Sequence, residues 1–327
     1  MKNVLMIATG GTIASKNEGE GLTPALTSEE LLACVPEIAD ICQVTTVQPF
    51  NLDSTNLRPA HWLKIAKIIE ERYDDFDGFV ITHGTDTMAY TAAALSYLIQ
   101  NSPKPVVLTG SQKSAYLRDT DARQNLYDAF AFCADDKASG VHIVFDGNVI
   151  LGTRAKKTRT HSYNAFTSVD FPNIAIMRDG KPFYYIKSEK GEPHFYNKLN
   201  DSIFVLKMIP GLKADIFDYL DTSCQALVIE SFGSGGLPDY GNGEFFKRLK
   251  QFLASGKTAV LTTQVEREGS ALDKYEVGRK LLKCGRVLEA HCMTLEATVA
   301  KLMWLLSFAK DDEIEKLFYT PVGNDIF

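Results

Sequence analysis

Residues 78–88 read Gly-Phe-Val-Ile-Thr-His-Gly-Thr-Asp-Thr-Met. The apolar run from Gly78 to Thr82 is typical of a buried strand, and a helical stretch begins at Thr87. The polar residues between them therefore lie where a strand ends and a helix begins. In open α/β sheets, ligands bind at the carboxyl ends of strands. This one stretch thus predicts both the fold class and the place of a binding site.

The same alternation of strand-like and helical stretches continues on both sides of this segment. We predict strands at residues 4–8, 44–47, 106–109 and 141–145, and helices from residue 28 and at 59–72 and 121–134. Residues 149–152 are predicted to pair as a hairpin with the strand before them. Strands that alternate with helices indicate a doubly wound, mostly parallel sheet.

The length and composition favour two domains. A chain of 327 residues with 45% apolar content exceeds the usual size of one domain. Residues 180–200 are polar and turn-prone, and four further strands follow at 203–207, 226–229, 259–262 and 286–289. We predict a larger N-terminal α/β domain (1–185), a linker (186–202) and a smaller C-terminal parallel α/β domain (203–327).

Charge and cysteine usage exclude several classes of protein. The net charge is −6, and the richest basic stretch, residues 154–159, is too short for nucleic-acid binding. The apolar run at 4–8 is too short for a signal sequence, and no run approaches a membrane span. None of the six cysteines forms a CxxC pair or has zinc-finger spacing. We expect free thiols, a cytoplasmic location, and no metal or membrane.

The first candidate site follows the strand at 4–8 and reads Thr9-Gly10-Gly11-Thr12-Ile13-Ala14. Two glycines allow a sharp turn and a close approach to a ligand, so that Thr12 is placed to act as a nucleophile. The alternative is a phosphate-binding turn, but neither GxGxxG nor GxxxxGK[ST] is present.

The second candidate site is residues 83–88. Amide groups at the start of the helix suit a substrate carboxylate, and Asp86 suits a substrate ammonium. The alternative is an ordinary helix cap made by Thr85 or Asp86. We interpret His83 as structural.

Two further strand ends carry polar groups. Residues 52–56 hold Asp53, Ser54 and Thr55, which can hydrogen-bond a small zwitterion, although alone they would pass for a turn. Residues 152–158 hold Lys157, and a lysine beside a carboxylate can move a proton and activate a hydroxyl.

The motifs at 9–13 and 83–90 together resemble the bacterial-type asparaginase family. Further matches extend over nearly the whole chain, at residues 53–55, 108–112, 152–157, 163–166, 230–238 and 276–279. The resemblance implies hydrolysis of L-asparagine to L-aspartate and ammonia through an acyl-enzyme, without a cofactor.

The same resemblance assigns the residues. It implies Thr12 as nucleophile, with a second group of Thr85, Asp86 and Lys157. The substrate pocket would be formed by Asp53, Ser54, Thr55, Thr85, Asp86 and Ser111. Lys157 rather than Lys156 is assigned by its spacing from the motif at 163–166.

Details of the sequence resemble the cytoplasmic type I branch. The secreted branch has Gly-Ser-Gln where this chain has Asp53-Ser54-Thr55, so we expect glutamine to be a poor substrate. Many relatives carry a tyrosine that assists the nucleophile where this chain has Leu22. An allosteric site in some relatives uses a cysteine and an arginine where this chain has Val265 and Glu230, so we predict no such site.

Two other functions stay open. An amidotransferase subunit that frees ammonia from glutamine shares the two motifs, but it carries an extra N-terminal domain, whereas the first motif here begins at residue 9. We therefore expect the asparaginase. A non-catalytic amino-acid sensor would need neither Thr12 nor Lys157.

The family implies a homodimer or homotetramer, for which the apolar stretch 303–306 is either an interface or core packing.

Overall fold

A computed structural model describes the chain apart from residues 18–21, 25, 188–189, 275 and 283. The chain divides into two compact units, Met1–Asn197 and Lys198–Phe327. The division falls within residues 186–202, the predicted linker.

The first unit contains fourteen strands and four α-helices among the described residues. The strands are β1 Lys2–Ala8, β2 Ser15–Asn17, β3 Leu22–Pro24, β4 Cys42–Val47, β5 Gly78–Thr82, β6 Ile99–Gln100, β7 Pro105–Thr109, β8 Gly140–Phe145, β9 Asn148–Leu151, β10 Ala155–Lys157, β11 Phe166–Ser168, β12 Ala175–Arg178, β13 Lys181–Tyr184 and β14 His194–Phe195. The helices are α1 Ser28–Ala33, α2 Pro59–Glu71, α3 Met88–Leu98 and α4 Ala122–Cys133.

One eight-stranded sheet organises this unit, in the order β13-β12-β9-β8-β7-β5-β1-β4. Neighbours from β8 to β4 are parallel, whereas β8–β9, β9–β12 and β12–β13 are antiparallel. The predicted parallel core of the sheet and the β8–β9 hairpin are therefore confirmed. The antiparallel strands β12 and β13 were not predicted.

The central strands are buried on both faces, which explains their uninterrupted apolar runs. Every residue of β5 and of β7 is buried. One face of the sheet packs on α1 and α4 through Leu31, Leu126 and Phe130. The register pairs Ala8 with Thr82, and Thr82 with Thr109, so the carboxyl ends of β1, β5 and β7 lie at one edge.

The second unit is a smaller parallel α/β unit, as predicted. Its sheet has the order β15-β16-β17-β18, formed by Ile203–Lys207, Ala226–Ser231, Thr258–Thr263 and Val287–Glu289. Its helices are α5 Ile216–Ser223, α6 Tyr240–Ala254, α7 Glu276–Leu281, α8 Leu295–Leu305 and α9 Ile314–Phe318. Within the stretch 303–306, Trp304 and Leu305 are buried, whereas Met303 and Leu306 are half-buried. Among the helices described, none has the length and apolarity to cross a membrane.

Candidate active site

Backbone hydrogen bonds join the predicted strand ends beyond the regular ladder. The Thr9 N–H donates to the Thr82 carbonyl at 3.0 Å, and the His83 N–H donates to the Thr109 carbonyl at 2.9 Å. The Leu52 N–H donates to the Thr9 carbonyl at 2.9 Å. The polar segments that follow β1, β4, β5 and β7 therefore lie side by side.

Two glycines bring three of these segments into direct contact. A Cβ on Gly11, whose φ is +82°, would lie 2.3 Å from the Cα of Gly84. A Cβ on Gly84 would lie 2.7 Å from the Cβ and Oγ of Ser54. No side chain fits at either position without a shift of backbone. Because Thr12 and Thr85 directly follow these glycines, the two threonines and Ser54 belong to one site.

Thr12 opens a single 3₁₀ turn, Thr12–Ala14, and its side chain is partly exposed. Two hydrogen bonds to the Gly11 carbonyl stabilise the turn, one from the Ser15 hydroxyl at 2.9 Å and one from the Ala14 N–H at 3.1 Å. The side chain of Leu22, at the position of the relatives' tyrosine, lies outside the part of the chain that the structure describes.

Lys157 comes to this site from a separate hairpin, in which β10 pairs antiparallel with β11. Its ammonium donates to the Thr85 hydroxyl at 2.7 Å and to Oδ1 of Asp86 at 2.6 Å. The Lys157 side chain is only 16% exposed, whereas that of Asp86 is 59% exposed. The structure thus brings the predicted lysine, threonine and carboxylate together.

The alternative interpretation, in which Thr85 or Asp86 caps the helix α3, does not agree with the contacts of these residues. Thr87 is the N-cap residue of α3, and among the described residues it makes no side-chain cap bond. Its hydroxyl instead donates to the Ser54 carbonyl at 2.8 Å. The side chains of Thr85 and Asp86 instead contact Lys157.

His83 is fully buried behind the site. One ring nitrogen lies 2.6 Å from the Gly84 carbonyl and the other 2.8 Å from the Thr91 hydroxyl. Burial lowers the pKa of His83 to about 4, which keeps the ring neutral at physiological pH. These contacts agree with a structural role.

The remaining predicted residues differ in exposure. Asp53 and Thr55 are exposed, and the Asp53 carboxylate accepts the Thr55 N–H at 2.9 Å, at the start of the turn Ser54–Asn56. Ser54 is buried between the segments. Ser111 is also buried, and its hydroxyl donates to the Lys113 carbonyl, which is part of its own loop.

Gln112 is a further residue at this site that the sequence analysis did not single out. The Thr85 hydroxyl donates to its Oε1 at 3.3 Å. The sequence offered two signals for it, its position directly after Ser111 and its place in the family match at residues 108–112. In the described ranges, no group of three or more His, Cys, Asp or Glu side chains could hold a metal ion.

The fold and site define a two-unit α/β protein with threonine hydroxyls, a lysine and a carboxylate at its strand ends. Residues 3–190 match the family described as "Asparaginase, N-terminal", and residues 202–318 match "Glutaminase/Asparaginase C-terminal domain". The chain therefore belongs to the asparaginase family and is an enzyme of that family, which confirms the resemblance.

Individual relatives cover the chain almost completely. It is 36% identical to an L-asparaginase from Thermococcus kodakarensis over 327 residues, 99% of this chain and 98% of that protein. The solved structure of the thermostable L-asparaginase from that organism matches with a TM-score of 0.91 at 35% identity, covering 99% of both chains. A probable cytoplasmic L-asparaginase from Campylobacter jejuni matches with a TM-score of 0.84 at 26% identity, covering 97% and 99%.

A second group of relatives has a different function. The chain is 35% identical to one subunit of the glutamyl-tRNA(Gln) amidotransferase from Pyrococcus furiosus over 343 aligned positions. That alignment covers all of this chain and 77% of the relative.

Proposed function

We propose that this enzyme hydrolyses the side-chain amide of L-asparagine to L-aspartate and ammonia. The observation that carries the proposal is the contact of the Lys157 ammonium with both Thr85 and Asp86, at 2.7 and 2.6 Å, beside the segment of Thr12. The similarity to an L-asparaginase over nearly the full length of both chains supports it.

Thr12 is the nucleophile in this proposal. An amide carbon is a weak electrophile, so it needs an activated hydroxyl and a proton for the departing nitrogen. A bond forms from the Thr12 oxygen to the amide carbon, the carbon–nitrogen bond breaks, and the hydroxyl proton leaves with ammonia. Water then attacks the acyl-enzyme, and the threonine oxygen regains a proton from that water.

Lys157, Thr85 and Asp86 form the second functional group. An ammonium that donates to a hydroxyl oxygen stabilises negative charge on that oxygen, so Thr85 can pass protons at low cost. Asp86 holds the ammonium in place. Since the Asp86 carboxylate is more than half exposed, it can also accept a hydrogen bond from the substrate ammonium.

Substrate recognition is assigned to the segments around these groups. Asp53 and Asp86 supply negative charge for the substrate ammonium, and amide groups at the start of α3 suit its carboxylate. Ser54, Thr55 and Thr85 supply hydroxyl groups, and Ser111 contributes from the floor of the pocket.

A glutamine-directed ammonia supplier is the second candidate, because the amidotransferase relatives are nearly as similar in identity, at 35% against 36%. The two candidates differ in the preferred amide.

Ammonia release from L-asparagine and from L-glutamine by the purified protein separates these candidates. We expect preference for asparagine, loss of turnover in Thr12→Ala, and partial retention in the hydroxyl-keeping Thr12→Ser. Hydroxylamine should divert the acyl-enzyme to aspartyl hydroxamate. Preference for glutamine would favour the amidotransferase function, and binding of asparagine without turnover would contradict the proposed hydrolysis.

We also propose a cytoplasmic location and assembly as a homodimer or homotetramer. The six cysteines are free thiols, as expected in a reducing compartment, and one relative is a probable cytoplasmic L-asparaginase. Light scattering on the purified protein measures the assembly, and a monomeric mass would contradict it.

A further inference from the structure

The side chain of Gln112 connects Thr85 to the hairpin formed by β10 and β11. Its Oε1 accepts the Thr85 hydroxyl at 3.3 Å, and its Nε2 donates to the Ser162 carbonyl at 3.1 Å. Ser162 lies in the loop between β10 and β11, the hairpin whose first strand ends in Lys157. A single amide therefore links the threonine to the hairpin of the lysine.

The backbone of Gln112 is held by the start of α4. Its N–H donates to both oxygens of Asp121, at 3.1 and 2.9 Å. Asn125, one turn later, donates to Asp121 at 3.2 Å and to the Gly110 carbonyl at 2.9 Å. Asp121 and Asn125 are both buried. These hydrogen bonds fix the backbone of Gln112, and therefore the position from which its side chain reaches Thr85.

The Ser162 contact decides which way the Gln112 amide faces. A backbone carbonyl can only accept a hydrogen bond, so the NH₂ group must face Ser162. If the amide were turned over, two carbonyl oxygens would face each other across 3.1 Å. The oxygen of the amide is therefore left for Thr85, and Thr85 must be the donor.

Lys157 fixes the other side of the same hydroxyl. An ammonium has donors only, so the Thr85 oxygen accepts from Lys157 at 2.7 Å. The Thr85 hydroxyl donates its proton to Gln112 and uses one lone pair to accept from Lys157, so one lone pair of its oxygen stays available. Thr85 thus offers the substrate a hydrogen-bond acceptor rather than a donor.

We propose that Gln112 is a positioning residue, which sets the direction of the Thr85 hydroxyl through its side-chain oxygen. This inference rests on the proposed role of Thr85 and Lys157. The bond of 3.3 Å is long, and catalytic hydrogen bonds of this kind shorten when substrate is bound. Its contribution lies in direction, so its loss slows the chemical step more than it weakens substrate binding.

A matched pair of variants tests this role. Gln112→Met keeps the volume and removes both side-chain bonds. Tyr163→Phe breaks another link between the same two loops, the bond from the Tyr163 hydroxyl to the Asp119 carbonyl, without touching Thr85. We expect Gln112→Met to lower kcat for asparagine by about ten- to hundredfold with KM changed by less than about threefold, and Tyr163→Phe to alter neither by more than about twofold.

The outcomes separate this inference from the proposed function. Equal losses in Gln112→Met and Tyr163→Phe, or kcat within about twofold of wild type in Gln112→Met, would overturn the positioning role. If the wild type releases no ammonia from asparagine, the proposed function fails on its own. A neutron crystal structure then decides: a Thr85 hydroxyl deuterium directed at Gln112 Oε1 supports the inference, and any other direction overturns it.

Discussion

The Nζ atom of Lys157 lies 2.6 Å from Oδ1 of Asp86, although 71 residues separate them in the chain. The lysine is mostly buried and the aspartate mostly exposed, with side-chain exposures of 16% and 59%. Ion pairs with one exposed member contribute about 0–1 kcal/mol to stability. The pair therefore contributes little to the free energy of unfolding.

Replacing Lys157 should separate activity from stability. We expect Lys157→Met to lower kcat for asparagine by at least about a hundredfold, because Thr85 loses its ammonium partner. The midpoint of thermal unfolding should change little. Steady-state ammonia release and calorimetry measure the two effects.

Lys156→Met is the matched control for this substitution. Neighbouring residues of a strand point to opposite faces, and Lys156 pairs with Thr167 whereas Lys157 pairs with Phe166. Lys156→Met should keep wild-type kcat. An equal loss of activity in both variants would contradict the assignment to Lys157.

The central sheet and the place of the site were predictable because both depend on local sequence. Strands buried on both faces give apolar runs such as β5, and the polar residues that follow them mark the ligand-binding edge. The contact between Lys157 and Thr85 is not encoded locally, and the catalytic roles of both residues stay a prediction from the resemblance.

Other parts depend on contacts that a local pattern does not encode. Strand β10 reads Ala-Lys-Lys, without an apolar run, and it is a strand because β11 pairs with it. Gln112 is uncharged, and its side-chain partners lie 27 and 50 residues away. It ends the family match at residues 108–112, but that match does not show which side chains Gln112 contacts.

Gly11→Ala should disrupt the site by a clash with backbone. The added Cβ would lie 2.3 Å from the Cα of Gly84, and the φ of +82° is unfavourable for alanine. We expect a loss of about 2–5 kcal/mol in the stability of the first unit, together with loss of activity. Chemical denaturation and ammonia release measure these effects.

Gly211→Ala is the control that separates the clash from the backbone conformation. Gly211 has a φ of +84°, but no atom of the described residues lies within 4 Å of its added Cβ. This variant should lose only about 1–2 kcal/mol, the cost of a left-handed alanine. Similar losses in the two variants would show that the contact with Gly84 is unimportant.

The first unit should lose stability as pH falls from 6.5 towards 4. Burial lowers the pKa of His83 and of His142 from 6.5 to about 4. Between these values the unfolded chain binds more protons than the folded chain, so acid favours unfolding. Asp128 opposes the trend, because burial raises its pKa from 3.8 to about 6 and the folded state then binds the extra proton.

His142→Phe should flatten this pH dependence. The ring of His142 is buried and packs edge-on against Phe132, with the ring centroids 5.3 Å apart. A phenylalanine keeps the aromatic contact and removes the titrating group. Urea unfolding at pH 5 and pH 8 should show the variant gaining more stability at pH 5. An equal change at both values would contradict the assignment.

Removing one partner of the buried pair Lys301–Asp325 should lower the stability of the second unit strongly, whereas replacing both partners with apolar residues should lower it little. The ammonium and carboxylate lie 2.7 Å apart, and both side chains are fully buried. Lys301 also donates to the Thr320 carbonyl at 2.9 Å. Removing one partner of such a pair leaves a buried charge uncompensated, which costs about 3–5 kcal/mol.

We therefore expect Lys301→Met to lower the stability of the second unit by about that amount, and the double variant Lys301→Met with Asp325→Leu to recover most of the loss. Both changes lie outside the candidate site, so kcat at a temperature where the variants stay folded should equal that of the wild type. The double-mutant cycle is measured by urea unfolding. If the double variant loses the sum of the two single losses, the charges act independently and the pair does not hold the C-terminal segment to α8 as a unit.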